Sequence, residues 1–375
     1  MTLVLLALLA GALVYSLLSI VAAFRYLRER PPELVSPEPI SILKPLYGLD
    51  DGLEHNLRTF FEQDYPAFEI LFAVREKDDP AFGIVDKLQR EFPHVPVRLV
   101  VTGEPPYPNA KVFSLDQMLA VAKNDLVVMS DSDIRVASNL LRVVAAEFQD
   151  VCLGIATCPY RTVAGKSVWS RLEATGLNTD FLSGILVARM LEGMKFAVGA
   201  TIIARRGALQ AIGSFDRLKE YLAEDFVMGK FAAESGYGVI LSAHVVEHHI
   251  GSTDLTANIA HRLRWVRSTR RSRPAGYLGQ LFTMPFPLAL LVCIANPAWW
   301  PALPLTLLVR GVAAYVISVR VLQTKIDWWL LPVEDLVVFC FWIVGFFGNT
   351  IVWRGRRYHL YPDGRFALLG AETDG

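Results

Sequence analysis

Residues Thr2 to Phe24 form an uncharged run of 23 residues, and such a segment has no easy place in a water-soluble fold. A helix needs about 20 apolar residues to cross the roughly 30 Å hydrocarbon layer of a bilayer, so the run predicts a transmembrane anchor over 1–24. Arg25, Arg28 and Arg30 follow at once. A secretory signal carries its positive charge before the apolar stretch, so this order reads as an anchor that is kept. The positive-inside rule then sets residue 25 onward on the cytoplasmic side. The far end of the chain is apolar as well: 277–309 has no charged residue, Arg310 and Arg320 interrupt the next stretch, and Leu336–Trp353 is an uncharged 18-mer. Residues 277–353 are therefore expected to form interfacial and transmembrane helices, followed by a cytoplasmic-side tail over 354–375. Three spans would carry "RGRRYH" to the wrong side by charge, so one segment is expected to lie in the interface. Pro285, Pro287, Glu334 and Asp335 mark where.

Between these ends, "RERPPELVSPEP" has four prolines in twelve residues and reads as a linker over 25–38. From 39 to 276 short β-rich runs ("ISILKPL", "EILFAV", "VRLVVT", "LVVMS") alternate with helical segments near 54–62, 81–92 and 111–123. That alternation predicts an α/β domain with a mostly parallel sheet, its ligands beyond the carboxyl ends of the strands. With 37 charged residues of each sign the chain is not a globally basic nucleic-acid binder. The four cysteines form no CxxC pair, so no redox or zinc motif is expected from them.

At one strand end "LVVMS" breaks into Asp131-Ser132-Asp133. A lone DxD also suits an ordinary turn or helix cap, but two carboxylates there match what Mg²⁺ takes alongside substrate phosphates. Asp78 and Asp79 end another strand, where a carboxylate can accept hydrogen bonds from a base or ribose; they also suit a solvated turn. Glu224 and Asp225 open a helical segment, as helix-dipole partners or with a general base among them. "HRLRWVRSTRRSR" packs six arginines around Trp265, a juxtamembrane basic belt or a diphosphate and acceptor site. "AHVVEHH" supplies His244, His248 and His249. Neighbouring strand residues face opposite ways, which disfavours one zinc site, though one histidine is within reach of the Mg²⁺ or Mn²⁺ position.

In their order, "LKPLYGLD", "TFFEQDYP", "DDPA", "PNAKV", "DSDIRV", "FAVGATIIARR", "YLAEDFVMGK", "RWVRSTR" and "WRGRRYHL", spread from Ser41 to Phe366, resemble the ceramide glucosyltransferase family. That family is a membrane-bound branch of the inverting, family-2-like glycosyltransferases and includes bacterial hopanoid-linked relatives. The resemblance implies a GT-A nucleotide-sugar domain. It matches Asp79, with Asp78 as the near alternative, to the aspartate at the nucleotide. Asp131 matches the aspartate at metal and diphosphate, with Asp133 completing the DxD, and Asp225 the catalytic base. Arg264 and Trp265 match the core of the closing (Q/R)xxRW motif, at leaving diphosphate and acceptor; His261 stands where the family has Gln or Arg. Lys111 in "PNAKV" is an implied nucleotide or phosphate contact. Implied too are a Mg²⁺ or Mn²⁺ ion and a UDP-sugar donor, UDP-glucose or UDP-N-acetylglucosamine. The implied acceptor is a lipid hydroxyl such as that of ceramide or a hopanoid polyol, at the bacterial inner membrane or a eukaryotic endomembrane, with no nucleic-acid partner.

Two other readings compete. A processive polysaccharide synthase shares the domain, but few helices are present to wall a channel. A non-catalytic membrane scaffold would have no need of the three aspartate positions or of Arg264-Trp265.

Overall fold

The structure, a computed structural model, describes residues 1–353 and 355–369. The N-terminal apolar run is one helix, α1 (Thr2–Leu27). Beyond the linker come β1 (Ile40–Pro45), α2 (Leu53–Phe61), β2 (Phe68–Val74), α3 (Ala81–Glu91), β3 (Val97–Val101), α4 (Ala110–Val121) and β4 (Leu126–Ser130). Next are β5 (Ile134–Arg135), α5 (Leu140–Glu147), β6 (Leu153–Thr157) and β7 (Tyr160–Ala164). A long helix then runs as α6 (Val168–Gly176), a π-helical turn (Leu177–Phe181) and α7 (Leu182–Glu192). β8 (Thr201–Arg205), α8 (Arg206–Ala211), α9 (Glu224–Glu234), β9 (Gly238–Leu241) and β10 (Val246–Ile250) follow. The C-terminal region has α10 (Leu255–Ser272), α11 (Pro274–Gly279), α12 (Pro285–Ala295), α13 (Ala302–Tyr315) and α14 (Leu330–Val344). Its last elements are β11 (Thr350–Trp353), β12 (Arg356–Leu360) and β13 (Phe366–Leu368).

These elements form two compact units. The α/β unit takes Arg30–Val163 and Met194–Gly251. Its seven-stranded sheet has the order β3-β2-β1-β4-β8-β6-β9. The four strands from β3 to β4 are parallel, and β8 runs against both β4 and β6. β1, β2 and β4 are buried almost throughout, which explains their continuous apolar runs: a strand covered on both faces does not alternate. Leu43, Leu71 and Val127 pack with Leu115 and Met118 of α4 and Met228 of α9 in one core. Parallel pairing brings the carboxyl ends of β1, β2 and β4 to one rim, and the reversed β8 starts at that rim. β5, β10 and β7 form a small second sheet.

The helical unit takes Met1–Glu29, Ala164–Gly193 and the chain from Ser252. Leu9 and Ala12 of α1 pack on Leu288, Ala289 and Val292 of α12, while Ser19 of α1 accepts a 2.6 Å hydrogen bond from Ser183 of α7. Among the described residues, two helical stretches are long and apolar enough to cross a membrane, Thr2–Leu27 and Ala302–Val321. A third candidate, Pro274–Thr283 with Pro285–Ala295, is bent by 66°, and Pro285 at its break removes the donor that would continue the helix.

The uncharged run Leu336–Trp353 is not one span. α14 stops at Val344, the chain turns through Gly348 at φ +77°, and Thr350–Trp353 is a strand. Three arginines of α10 close this turn: Arg267 donates to the Thr350 carbonyl, Arg270 to those of Phe346 and Gly348, and Arg270 and Arg271 to the Asn349 side chain. Three arginines of the basic run thus bind the turn that follows α14. Of the tail expected over 354–375, residues 355–369 carry β12 and β13; Arg354 and 370–375 lie outside the described residues.

The packing of α9 is tested by glycine replacement. A Cβ on Gly229 would run into the Ala197 amide and the Phe196 backbone, whereas one on Gly83 of α3 meets nothing within 4 Å. Gly229→Ala should destabilise by about 1–3 kcal/mol, and Gly83→Ala should be neutral or stabilising by up to about 1 kcal/mol. Thermal melts of the two variants check this; equal behaviour would show that α9 is not packed as described.

Candidate active site

The rim of the sheet collects the acidic residues singled out in the sequence. β4 is buried to Ser130 and then breaks, because Ser130 hydrogen-bonds across to Thr201 (3.0 Å) and the Asp131 amide donates to the Ala200 carbonyl (3.0 Å). From that turn the Asp131 carboxylate meets the Lys111 ammonium at 2.8 Å. Lys111 sits in the first turn of α4, which Asn109 caps by accepting from the Val112 amide at 3.1 Å. The same ammonium reaches Glu224 of α9 at 3.2 Å, and Asn109 donates to the other Glu224 oxygen at 3.3 Å. Lys111 therefore ties the DxD turn to the first turn of α9. Burial alone would lower the lysine's pKa, but Asp131 and Glu224 hold it well above the usual lysine range.

Asp225 is the next residue of α9. One of its oxygens accepts from the Gly199 amide and the other from its neighbour Phe226 at 2.8 Å. Burial first, then the adjacent Glu224 charge, push its carboxyl up to about 6, with Lys111 opposing. The Gly199 amide is aimed by an unusual bend. Ala200 has φ +140°, a region that favours glycine, and Thr157 anchors the bend, donating to the Val198 carbonyl (2.5 Å) and accepting from its amide (3.2 Å). A side chain on Gly199 would collide with the Asp225 carboxylate.

Asp133, at the far side of the turn, meets His248 of β10 at 3.2 Å. Burial raises the Asp133 carboxyl, but the His248 ring outweighs this by charge and hydrogen bond and holds it below its usual range. The second Asp133 oxygen is buried and accepts no hydrogen bond among the described residues. That orphaned acceptor and the Asp131 carboxylate are the one or two carboxylates that Mg²⁺ or Mn²⁺ takes alongside substrate phosphates and water. Among the described residues no group of three or more His, Cys, Asp or Glu side chains is arranged as a protein-only metal cage. His249 turns to Glu247 (2.8 Å), and His244 is buried, its ring pushed down to about 4.

Other residues named from sequence are placed differently. Asp78 is exposed. Asp79 is occupied with backbone, accepting from the Gly48 amide at 3.1 and 3.2 Å and from Ala81 at 2.9 Å, which fixes the loop after β1 against the start of α3. Arg264 and Trp265 lie on α10 of the helical unit. There the Arg264 guanidinium sits 6.0 Å from the Trp353 ring, and Trp265 packs between Phe181 and His261, each at 5.6 Å. His261 takes a 2.5 Å contact to Glu173.

Lys44 escaped sequence reasoning. It is wholly buried at the end of β1, its ammonium 3.9 Å from the Phe60 ring centre. It donates to the Asp131 carbonyl and, at 3.4 Å, to Ser130. Burial brings it down to about 7, against the pull of Asp131, Asp133 and Asp50. The signal was present: a lone lysine inside "ISILKPL" is a charge in a strand that must be buried.

Against this geometry stand the similarities to known proteins. The family model described as Glycosyl transferase family 21 matches residues 3–366. Ceramide glucosyltransferase 1 of Caenorhabditis elegans is 27% identical over 267 residues, covering 69% of this chain and 57% of that protein. Ceramide glucosyltransferase 3 of the same organism is 24% identical over 343 residues, 86% of this chain and 72% of that protein. Among solved structures, a mannosyltransferase of Pyrobaculum calidifontis in complex with GDP-Man and Mn²⁺ superposes with a TM-score of 0.56 at 18% identity, covering 92% of this chain and 99% of its own. It supports the GT-A fold.

The raised Asp225 carboxyl has a consequence for stability. Below its ordinary value of 3.8 it is protonated whether folded or not; as pH rises through about 6 the folded protein must ionise a buried group, and the stability its neutral form contributed is lost. Asp225→Asn should therefore raise the melting temperature more near pH 7.5 than at about pH 4.5. Equal shifts at both would show that the buried charge is not the cause.

Proposed function

Because the chain belongs to glycosyl transferase family 21, we propose that it moves a hexose from a UDP-sugar, UDP-glucose or UDP-N-acetylglucosamine, to a lipid hydroxyl with inversion, in the manner of the ceramide glucosyltransferases. The lipid is ceramide or a hopanoid polyol. The observation that carries this reading is the Lys111 bridge from Asp131 to Glu224, which brings the DxD turn and the buried Asp225 into one site. The two stretches able to cross a membrane suit a lipid acceptor, and the arginines after α1 favour an active site on the cytoplasmic face.

In this reading Asp131 and Asp133 would hold a divalent cation, which when bound neutralises diphosphate charge. Lys111 adds a fixed positive charge beside that position, a preorganised group that needs no rearrangement as charge develops on the leaving diphosphate. Asp79 and Asp78 lie at the carboxyl end of β2, where the nucleoside is expected. Asp225 takes the proton of the attacking hydroxyl, and its raised carboxyl suits a base working near neutrality. The Gly199 and Phe226 amides hold that carboxylate in place. Arg264 and Trp265 carry the family motif assigned to the diphosphate and acceptor.

Purified protein in detergent, supplied with Mn²⁺, UDP-sugars and ceramide or hopanoid polyol, should yield a lipid one hexose heavier by mass, with the rate rising as pH passes through about 6. Asp225→Asn should lower kcat by about 10²–10⁴-fold with UDP affinity nearly unchanged, while Asp131→Ala should abolish metal-dependent UDP binding. A ladder of products would instead mean a polysaccharide synthase. UDP binding that ignores both metal and Asp131 would mean a scaffold.

A further inference from the structure

The helical unit buries a charge cluster that has one acceptor to spare. Arg310 on α13 is 4% exposed. Its guanidinium meets both oxygens of Asp335 on α14 through contacts of 2.9 to 3.3 Å. It also meets Asp180 at 2.6 Å and the Thr179 hydroxyl at 3.1 Å. Arg262 and Glu334 beside it form a two-bond pair at 2.7 and 3.0 Å. Asp335 and Glu334 thus have both oxygens engaged. Asp180 has one: its second oxygen is shut from solvent and accepts no hydrogen bond among the described residues. Two carboxylates share the Arg310 charge, and the less fully paired one is Asp180.

Its setting is also unusual. Asp180 lies on the π-helical turn Leu177–Phe181, a distortion that is rare and concentrates at functional sites. A second π-helical turn, Val316–Val321, is joined to it by the Ser318 hydroxyl, which donates to the Asn178 carbonyl at 2.7 Å. The adjacent Phe181 packs on Trp265 of the Arg-Trp motif, and the Asp180 side chain keeps 16% of its surface exposed. An ionised group in a membrane-embedded bundle persists when a partner or a substrate uses it.

We propose that Asp180 binds the polar end of the lipid acceptor, its unpaired oxygen accepting a hydrogen bond from a hydroxyl or amide N–H other than the hydroxyl that receives the sugar. The Arg310 guanidinium holds the Asp180 carboxylate in place. This rests on the lipid-acceptor reading above. It makes the π-helical turn the part of the fold that distinguishes a lipid with several donors at its polar end from a simple alcohol.

The test uses the full chain in detergent with a short-chain ceramide, its analogue lacking the secondary hydroxyl, and its N-methylated amide. Asp180→Asn should raise KM for ceramide about tenfold or more, with kcat and UDP affinity nearly unchanged and a smaller fall in melting temperature than Asp335→Asn, because Arg310 keeps both oxygens of Asp335. Wild type should pay the same penalty for one of the analogues, and the variant should no longer discriminate it. Asp335→Asn is the structural control: it should lower the melting temperature while keeping the discrimination. An unchanged KM in Asp180→Asn, or losses equal for all acceptors and parallel to a fall in melting temperature, would overturn the proposal. If wild type glycosylates none of the lipids, the lipid-acceptor reading itself fails, and native mass spectrometry with the same ceramide decides on Asp180. Retention by wild type and loss in the variant supports the site; equal retention, or none, removes it.

Discussion

The Lys111 ammonium is the interaction on which the acidic site depends. Asp131, Glu224 and Asp225 come from two elements far apart in sequence, and three carboxylates brought together around no cation would repel one another and take up protons. One half-buried lysine, placed by the Asn109 cap of α4 and held by Asp131 and Glu224, lets them coexist. It does not balance them. Asp131 and Glu224 outnumber it, Asp225 carries a carboxyl displaced upward, and Asp133 keeps an oxygen that accepts no hydrogen bond among the described residues. A site left short of positive charge and of donors favours cations and hydroxyls, which are what a sugar-nucleotide transfer brings to it.

Lys44 supports the same turn from below. Its contacts are to the backbone of Asp131 and to Ser130, so it fixes where the chain goes rather than what the Asp131 carboxylate does. A buried lysine is costly. Here the ring of Phe60 and two oxygens offset part of that cost, and what is gained is a DxD turn that cannot drift. The bend at Gly199–Ala200 does the equivalent for Asp225. Both cases spend stability to keep a carboxylate where water alone would not hold it.

The sequence made the parallel half of the sheet legible because buried strands leave continuous apolar runs and their crossover helices leave amphipathic ones. The four strands from β1 to β4 and the helices between them lie within a few residues of where the pattern puts them. β8 was not legible as antiparallel: "TIIAR" looks like the mutually parallel strands β1, β2 and β4, and strand direction is set by the connection, which here is the long helix of α6 and α7. The Asp131 and Asp225 positions were readable because polar residues interrupt apolar pattern. Their link through Lys111 was not, since a lysine in the first turn of a helix has an ordinary reading. Leu336–Trp353 misled because uncharged composition resembles a span, while Gly345, Gly348 and Asn349 within it favour a turn. The basic run misled in the opposite way: Arg262 pairs with Glu334, and Arg267, Arg270 and Arg271 bind carbonyls and the Asn349 side chain, partners that no charge pattern announces.

The division of the chain carries the final constraint. The boundary expected at 276 would give a continuous catalytic segment with membrane helices after it, yet the backbone leaves the α/β unit at Val163, returns at Met194 and leaves again after Gly251. Each excursion packs with α1 or with the C-terminal helices: Ser183 of α7 bonds Ser19, and Arg262 of α10 bonds Glu334. A segment cut at 39 and 276 would strip these partners, leaving Arg262 without its carboxylate and the apolar faces of α6 and α7 without cover, a loss of the kind that typically costs several kcal/mol for the buried pair alone. The helical unit is therefore not an anchor appended to an enzyme. Its helices come from both ends and from the middle of the chain, so no single cut in the sequence separates the two units.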